Sequence, residues 1–286
     1  MQVDRSDACD NVRVTPHAGA FHIRSELARS LAQARYVVAL TGAGVSAESG
    51  VPTFRDALTG LWSRFDPREL ATPSAFARHP KRVWDWYAER RAQVACVAPN
   101  PGHFAFARIE ARAPRFLLAT QNVDGLHRRA GSRAIVELHG NIARVRCSRD
   151  CGVVDHWSDG EDDLPPRCAR CGAFLRPDVV WFEELLPADA LDAAEGAARE
   201  CDVMIVAGTS AEVYPAAALP RHARASGALV IEVNPTPTGL SDAASYVLRG
   251  PSGVVLPALV AAAWPDAGGA EGSCDAAPEP SGARFI

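Results

Sequence analysis

The 286-residue chain has no apolar run approaching the ~18 residues that a membrane-spanning helix needs. Its first residues, "MQVDRSDACDNVR", lack the basic start and apolar stretch of a secretory leader, so a cytoplasmic protein is expected. Basic charge is also in deficit: 30 Lys and Arg stand against 34 Asp and Glu, a formal net charge of -4. No Lys/Arg stripe is interleaved with aromatics, which make up only 7% of the chain, and this argues against nucleic acid as a partner. No internal repeat is present. What remains, 48% hydrophobic and 22% charged residues, suits a globular protein with a sizeable core. The length suits either one large domain with an inserted module or two separate domains.

Apolar, β-branched runs end at turn residues near 35–40, 115–120, 134–138, 203–207, 228–233 and 245–248. They read as buried parallel strands. Helical patterns occupy 22–34, 74–94, 101–112, 187–200, 215–226 and 253–263. This alternation predicts a doubly wound, Rossmann-like parallel α/β sheet. Segment 142–180 breaks the rhythm with charges, prolines and paired cysteines and reads as a small inserted module. Residues 1–18 and 265–286 lack periodicity and are expected to be disordered tails around a domain at 19–264.

The module carries "CSRDC" and "CARC": Cys147 and Cys151, then Cys168 and Cys171. Four thiolates in two knuckles suit one tetrahedral zinc ion, the first knuckle having three intervening residues where two are usual. A closed four-sulfur site has no open position for water, so the ion's role would be structural. Two disulfides are the alternative, which a reducing compartment disfavours.

"TGAGVSAESGVPTFR" follows the first strand. Gly42 and Gly44 fit a dinucleotide turn, but the third glycine arrives only at Gly50, and Pro52, Phe54 and Arg55 follow. A short helix whose first turn binds pyrophosphate, leading into a lid, is one reading; a tight turn without ligand is the other. In "TQNVDGLH", Gln121, Asn122, Asp124 and His127 follow a strand end. Their polar groups could bind a carboxamide and ribose hydroxyls, or Asn122 or Asp124 could simply start a helix. In "ELHG", His139 closes a strand beside Gly140, either as a general base in the crevice or as a capping residue. "GTSAEVYPAA" offers Gly208, Thr209 and Ser210 at another strand end, and "EVN" adds Asn234.

These motifs in this order, with "RPDVVWFEE", resemble the sirtuins, NAD-dependent protein lysine deacylases, over roughly residues 20 to 262. The resemblance implies NAD as a consumed co-substrate. By position, Gly42, Ala43, Gly44, Glu48, Phe54 and Arg55 are similar to the family's cofactor-loop residues, within a helical region of about 52–98. Gln121, Asn122 and Asp124 resemble its nicotinamide and ribose pocket, and Gly208, Thr209, Ser210, Asn234 and Ser252 its adenosine side. His139 matches its base, with Asn122 and Asp124 also catalytic. The reaction implied has the acyl-lysine oxygen attack C1′ of the nicotinamide ribose and expel nicotinamide. His139 then helps deprotonate a ribose hydroxyl, and water completes release of lysine and 2′-O-acyl-ADP-ribose. A monomer acting on acylated-lysine proteins is implied.

"VWDWYAERR" sets Tyr87 and Arg90 three apart on one helical face, where they could grip one carboxylate. With the small residue Ala71, this resembles the subgroup that removes succinyl and malonyl groups, and acetyl-lysine is also expected to fit. Val180, Phe182 and Glu183 would line the substrate peptide. Glu183 stands where the family usually has glycine: either a positive φ is lost there, or its carboxylate favours basic flanking residues. A mono-ADP-ribosyltransferase, a general deacetylase and a non-catalytic NAD sensor are the competing functions.

Overall fold

The computed structural model describes residues 21–52, 70–154, 157 and 165–265. The tails expected to be disordered lie outside these residues, apart from Pro265. All six residues of β1 (Tyr36–Thr41) and all five of β7 (Val203–Ala207) are buried. Successive residues of a strand face opposite sides, so such strands need cover on both faces. Val37, Ala39, Ile205, Ala207, Ile231 and Val233 enter one core, and Val38, Leu40, Met204, Val206 and Val230 enter the other. The first core is closed by α1 (Ser25–Gln33), α4 (Pro101–Arg112) and α8 (Ser252–Ala263), through Leu31, Phe106 and Leu256 among others. The second is closed by α6 (Ala188–Glu200) and α7 (Leu219–Ala225), whose alanines let helix and sheet approach closely.

The main sheet also contains β2 (Arg115–Thr120), β3 (Ile135–Glu137), β8 (Leu229–Val233) and β9 (Tyr246–Leu248). Its order is β3-β2-β1-β7-β8-β9, all parallel. This is the doubly wound order, which reverses between β1 and β7, where such sheets open a ligand crevice. The six expected strands therefore form. The helix expected at 74–94 does not form as one piece: α2 (Pro73–Arg78) and α3 (Pro80–Cys96) break at His79 (φ -140°, ψ 62°). A residue before proline is kept from the helical region, and Pro80 enforces that here. The helix that Asn122 or Asp124 could start is α5 (Leu126–Arg129), a single turn too short for periodicity to reveal.

The inserted module is a second, antiparallel sheet, β5-β4-β6, of β4 (Gly140–Cys147), β5 (Val153–Val154) and β6 (Leu175–Val179). Trp84 of α3, fully buried, packs with Val145, Cys147, Cys168 and Leu175 and fastens the module to the helices. No helix among the described residues is long and apolar enough to cross a membrane.

Candidate active site

At the point where strand order reverses, the loops after β1 and β7 touch backbone to backbone. Gly42 N–H donates to Ala207 O (3.0 Å) and Gly44 N–H to Gly208 O (2.8 Å). A Cβ on Gly42 or Gly44 would fall 2.8 Å from Gly208 O, so both glycines are required by this approach alone. The short helix expected after β1 is replaced by two single 3₁₀ turns, Ala43–Val45 and Ala47–Ser49, ended by Gly50 in the left-handed region (φ 84°). Ser46, fully buried, is the hub of this loop: its hydroxyl donates to Asp124 Oδ2 (2.7 Å) and accepts from Asn122 Nδ2 (3.2 Å). Asp124 Oδ1 also accepts the N–H of Leu126 (2.9 Å), so the residue turns the chain into α5, whose N-cap is Gly125. Burial raises the Asp124 pKa, opposed by those two donors.

Behind Ser46 lie two buried histidines, His103 and His127, with ring centroids 4.8 Å apart. Burial lowers their pKa values to about 4 and about 3. His103 completes the capping box of α4, accepting the N–H of Asn100 at Nδ1 (3.2 Å). Asn100 in turn donates to Val45 O (2.7 Å) and Ser49 Oγ (3.0 Å), stapling the glycine loop to the helix start.

His139 lies in the two-residue turn between β3 and β4. Its Nδ1 lies 2.9 Å from Gln121 O. A carbonyl only accepts, so Nδ1 carries the proton and Nε2 is left with its lone pair. Burial lowers the His139 pKa, with Gln121 opposing, which keeps the ring neutral at physiological pH. Gln121 is fixed by its N–H to Thr41 O (2.9 Å) and by its amide to Thr209 Oγ1 (3.0 Å). His139, Gln121, Asn122 and Asp124 are thus gathered at the carboxyl ends of β1, β2 and β3.

Next to this histidine, Val180 N–H donates to His139 O (2.9 Å) and Phe182 N–H to Ala71 O (2.9 Å). Between them, Trp181 packs with Ala71, Phe76, Tyr87 and Val179 in one buried cluster. The Tyr87 hydroxyl accepts from Trp181 Nε1 (3.0 Å), and burial pushes its pKa up to about 12, so it remains a donor. Arg90 stacks its guanidinium 4.6 Å from the Trp86 ring centroid; burial lowers its pKa, with Tyr87 and Glu89 opposing. Trp84 points away to the zinc module, so α3 presents Tyr87 to one region and Trp84 to another.

On the far side of the crevice, Gly208 (φ 60°) turns the chain after β7, and Asn234 Nδ2 donates to Thr209 O (3.0 Å). Ser210 is half-buried beside Thr209. Ser252, buried, begins α8, and the Glu48 carboxylate accepts the N–H of Gly253 (2.6 Å), tying the glycine loop to that helix. Phe54 and Arg55 lie outside the described residues.

The ligand atoms of Cys147, Cys151, Cys168 and Cys171 all lie within 4.8 Å of one another, and Cys147 and Cys171 Sγ are 3.4 Å apart. A tetrahedron of Zn–S bonds sets sulfurs about 3.8 Å apart, so this set suits one structural zinc ion whose four positions the four thiolates would fill. None of the described cysteines forms a disulfide.

A model of the Sir2 family matches residues 42–215. The chain belongs to the Sir2 family. An NAD-dependent protein deacylase of Ralstonia nicotianae is 57% identical over 228 residues, 80% of this chain and 92% of that protein. The NAD-dependent protein deacylase 1 of Archaeoglobus fulgidus is 49% identical over 82% of this chain and 96% of its own. A solved Sir2 homologue in complex with NAD superposes with a TM-score of 0.79 at 48% identity, over 85% of this chain and 95% of that one. A Sir2 variant with a deacetylated p53 peptide and 3′-O-acetyl ADP-ribose superposes at 0.74 and 32% identity, over 82% and 96%.

This Sir2 chain also carries polar residues that sequence reading did not single out: Ser46, Asn100, His103 and Trp181. Asn100 had a usable signal, an Asn-Pro pair at a helix start. Ser46 sits inside the glycine motif, and only the fold reveals its partner 78 residues away.

Proposed function

We propose that the protein is an NAD-dependent protein lysine deacylase that removes succinyl and malonyl groups and accepts acetyl. NAD, when bound, supplies an electrophilic ribose carbon with nicotinamide as leaving group. The balanced reaction joins NAD, water and acyl-lysine to give nicotinamide, 2′-O-acyl-ADP-ribose and lysine. The crevice at the strand reversal suits the cofactor: Gln121, Asn122 and Asp124 would hold its nicotinamide half, and Gly208, Thr209, Ser210, Asn234 and Ser252 its adenosine half. The glycine-loop residues Gly42, Ala43, Gly44 and Glu48, with Phe54 and Arg55, would complete it. Each polar group on the nicotinamide side is already fixed by a partner, so the site needs little reorganisation, the condition under which fixed dipoles stabilise developing charge best.

The observation that carries this reading is the tautomer of His139. With Nδ1–H committed to Gln121 O, Nε2 is a neutral base able to take a hydroxyl proton. The acyl group would enter between Ala71, Val180, Phe182 and Trp181. Tyr87, held protonated, and Arg90 would donate to a terminal carboxylate there, a charge-assisted pairing that an acetyl group cannot form. Unbridged thiols suit a reducing compartment, and a cytoplasmic monomer belongs to the same proposal.

The test is kcat/KM with NAD for succinyl and acetyl versions of one peptide, in wild type and Arg90→Met. The expected result is a succinyl preference above about tenfold, ~1.4 kcal/mol, that vanishes in the variant. Equal or acetyl-biased activity unmoved by the substitution would make the protein a general deacetylase.

A further inference from the structure

Beyond the acyl pocket, the chain from Trp181 to Glu184 closes a four-residue turn, with Glu184 N–H donating to Trp181 O (3.1 Å). Its third residue, Glu183, has φ 73°. Turns of this shape take glycine at that position, because a Cβ is crowded in the left-handed region. A glutamate there is a standing cost to stability, and nothing in the packing compensates for it: the side chain is exposed. Strain of this kind concentrates at sites where a side chain has work to do.

The neighbouring charges are all committed. Arg176 pairs with Glu184 through both guanidinium ends (2.5 and 2.8 Å), donates to Val179 O (2.7 Å) and stacks 3.5 Å from the Trp181 ring centroid. Glu184 also accepts the N–H of Trp181 (2.8 Å), and Asp178 pairs with Arg144 (2.8 Å). This knot fixes the turn and uses up every charge around it except one. Glu183 forms no ion pair with any described residue. Its position is set by two bonds: Val180 N–H to His139 O and Phe182 N–H to Ala71 O. The segment therefore runs between the base and the acyl pocket. A lysine placed with its acyl group beside Tyr87 and its carbonyl near His139 must cross it, and the polypeptide continuing from that lysine passes the turn. Phe182 (41% exposed) and Leu185 (93% exposed) flank Glu183 as an apolar rim.

We infer that Glu183 is a specificity-determining carboxylate that selects acyl-lysines flanked by arginine or lysine. This rests on the deacylase reading and names the protein context it acts on. An exposed carboxylate with no internal partner attracts a cationic side chain and repels an acidic one, and both effects are screened by salt.

The experiment compares kcat/KM on three versions of one succinyl-lysine peptide whose flanking residues are arginine, alanine or glutamate. Wild type, Glu183→Gln and Glu183→Gly are measured at low and high salt. Glu183→Gln keeps the side chain and its left-handed backbone while removing the charge; Glu183→Gly removes both. For wild type the order is arginine, alanine, glutamate, with an arginine-to-glutamate ratio on the order of fivefold, the scale of exposed ion pairs, shrinking in high salt. In both variants that ratio falls toward one, and Glu183→Gly also melts at a higher temperature. A flat ratio in wild type, or a ratio that survives Glu183→Gln, overturns the inference while leaving the deacylase reading intact. No turnover of any of the three peptides by wild type sinks both together.

Discussion

The two histidines behind the glycine loop give a quantitative prediction about stability and pH. His127 is 2% exposed, and its Nε2 lies 3.0 Å from Thr41 Oγ1. That hydroxyl donates to Thr120 Oγ1 (2.8 Å), so Nε2 must carry the proton. Nδ1 is then a buried nitrogen without a partner among the described residues. Charging this ring would bury a cation 4.8 Å from another imidazole, which is why its pKa falls from 6.5 to about 3. In the unfolded chain the ring titrates normally. Below pH 6.5 the unfolded state therefore binds a proton that the folded state refuses, and stability falls as pH drops, until the folded pKa is reached. At about 1.36 kcal/mol per pH unit, the loss from pH 7 to pH 5 is about 2 kcal/mol for His127. His103, with a pKa lowered to about 4, adds a similar amount, making about 4 kcal/mol for the pair. Urea titrations at pH 7, 6 and 5 with saturating zinc, on wild type and His127→Asn, measure this directly. The variant is expected to lose about 2 kcal/mol less than wild type over that range, whatever its stability at pH 7. Parallel curves for the two proteins would refute the reasoning, because they would mean that His127 is not held neutral by burial.

Three further outcomes follow from the same geometry. Ser46→Ala removes the donor to Asp124 Oδ2, a buried carboxylate oxygen, and is expected to cost about 1–3 kcal/mol in urea unfolding. Arg249 bonds Glu232 (3.1 Å), whose side chain is 2% exposed and whose other oxygen has no partner among the described residues. Arg249→Met should cost about 2–3 kcal/mol, below the fully buried range because Arg249 is itself one-third exposed, and Glu232→Gln in the same chain should restore part of the loss. Metal analysis should find one zinc per chain, and Cys168→Ser or a strong chelator should release it and lower the melting temperature, because the module owes its order to the ion. A metal-free protein of undiminished melting temperature would contradict this.

Much of the architecture was legible because both faces of the sheet are buried. Continuous apolar runs bounded by turn residues mark such strands, and all six formed within about a residue of their expected ends. The helix at 74–94 was misread because its apolar pattern continues across Pro80, and the backbone restriction before proline outweighed periodicity at His79. The glycine loop was legible as a turn but not as two 3₁₀ turns, because its geometry is set by contact with Gly208, a residue 164 positions from Gly44 in sequence that no local pattern announces. Ser46 with Asp124, Arg176 with Glu184 and Glu232 with Arg249 were invisible for the same reason: in each pair the partner is supplied only by tertiary folding. Glu183 was legible as an unusual residue. Its φ excludes one of the two readings left open, since the left-handed turn forms despite the missing glycine.

The central claim is NAD-consuming deacylation with His139 as base. Its most direct test follows one succinyl-lysine peptide and NAD by mass spectrometry, in wild type and His139→Ala, across pH 5.5 to 8. The account predicts equal amounts of nicotinamide, free-lysine peptide and O-succinyl-ADP-ribose from wild type. Because burial lowers the His139 pKa, activity should hold until pH falls below the ordinary histidine range of about 6.5 and then decline. The variant should lose product formation by roughly 100-fold or more. ADP-ribose attached to protein, or product formation that His139→Ala leaves untouched, would contradict it.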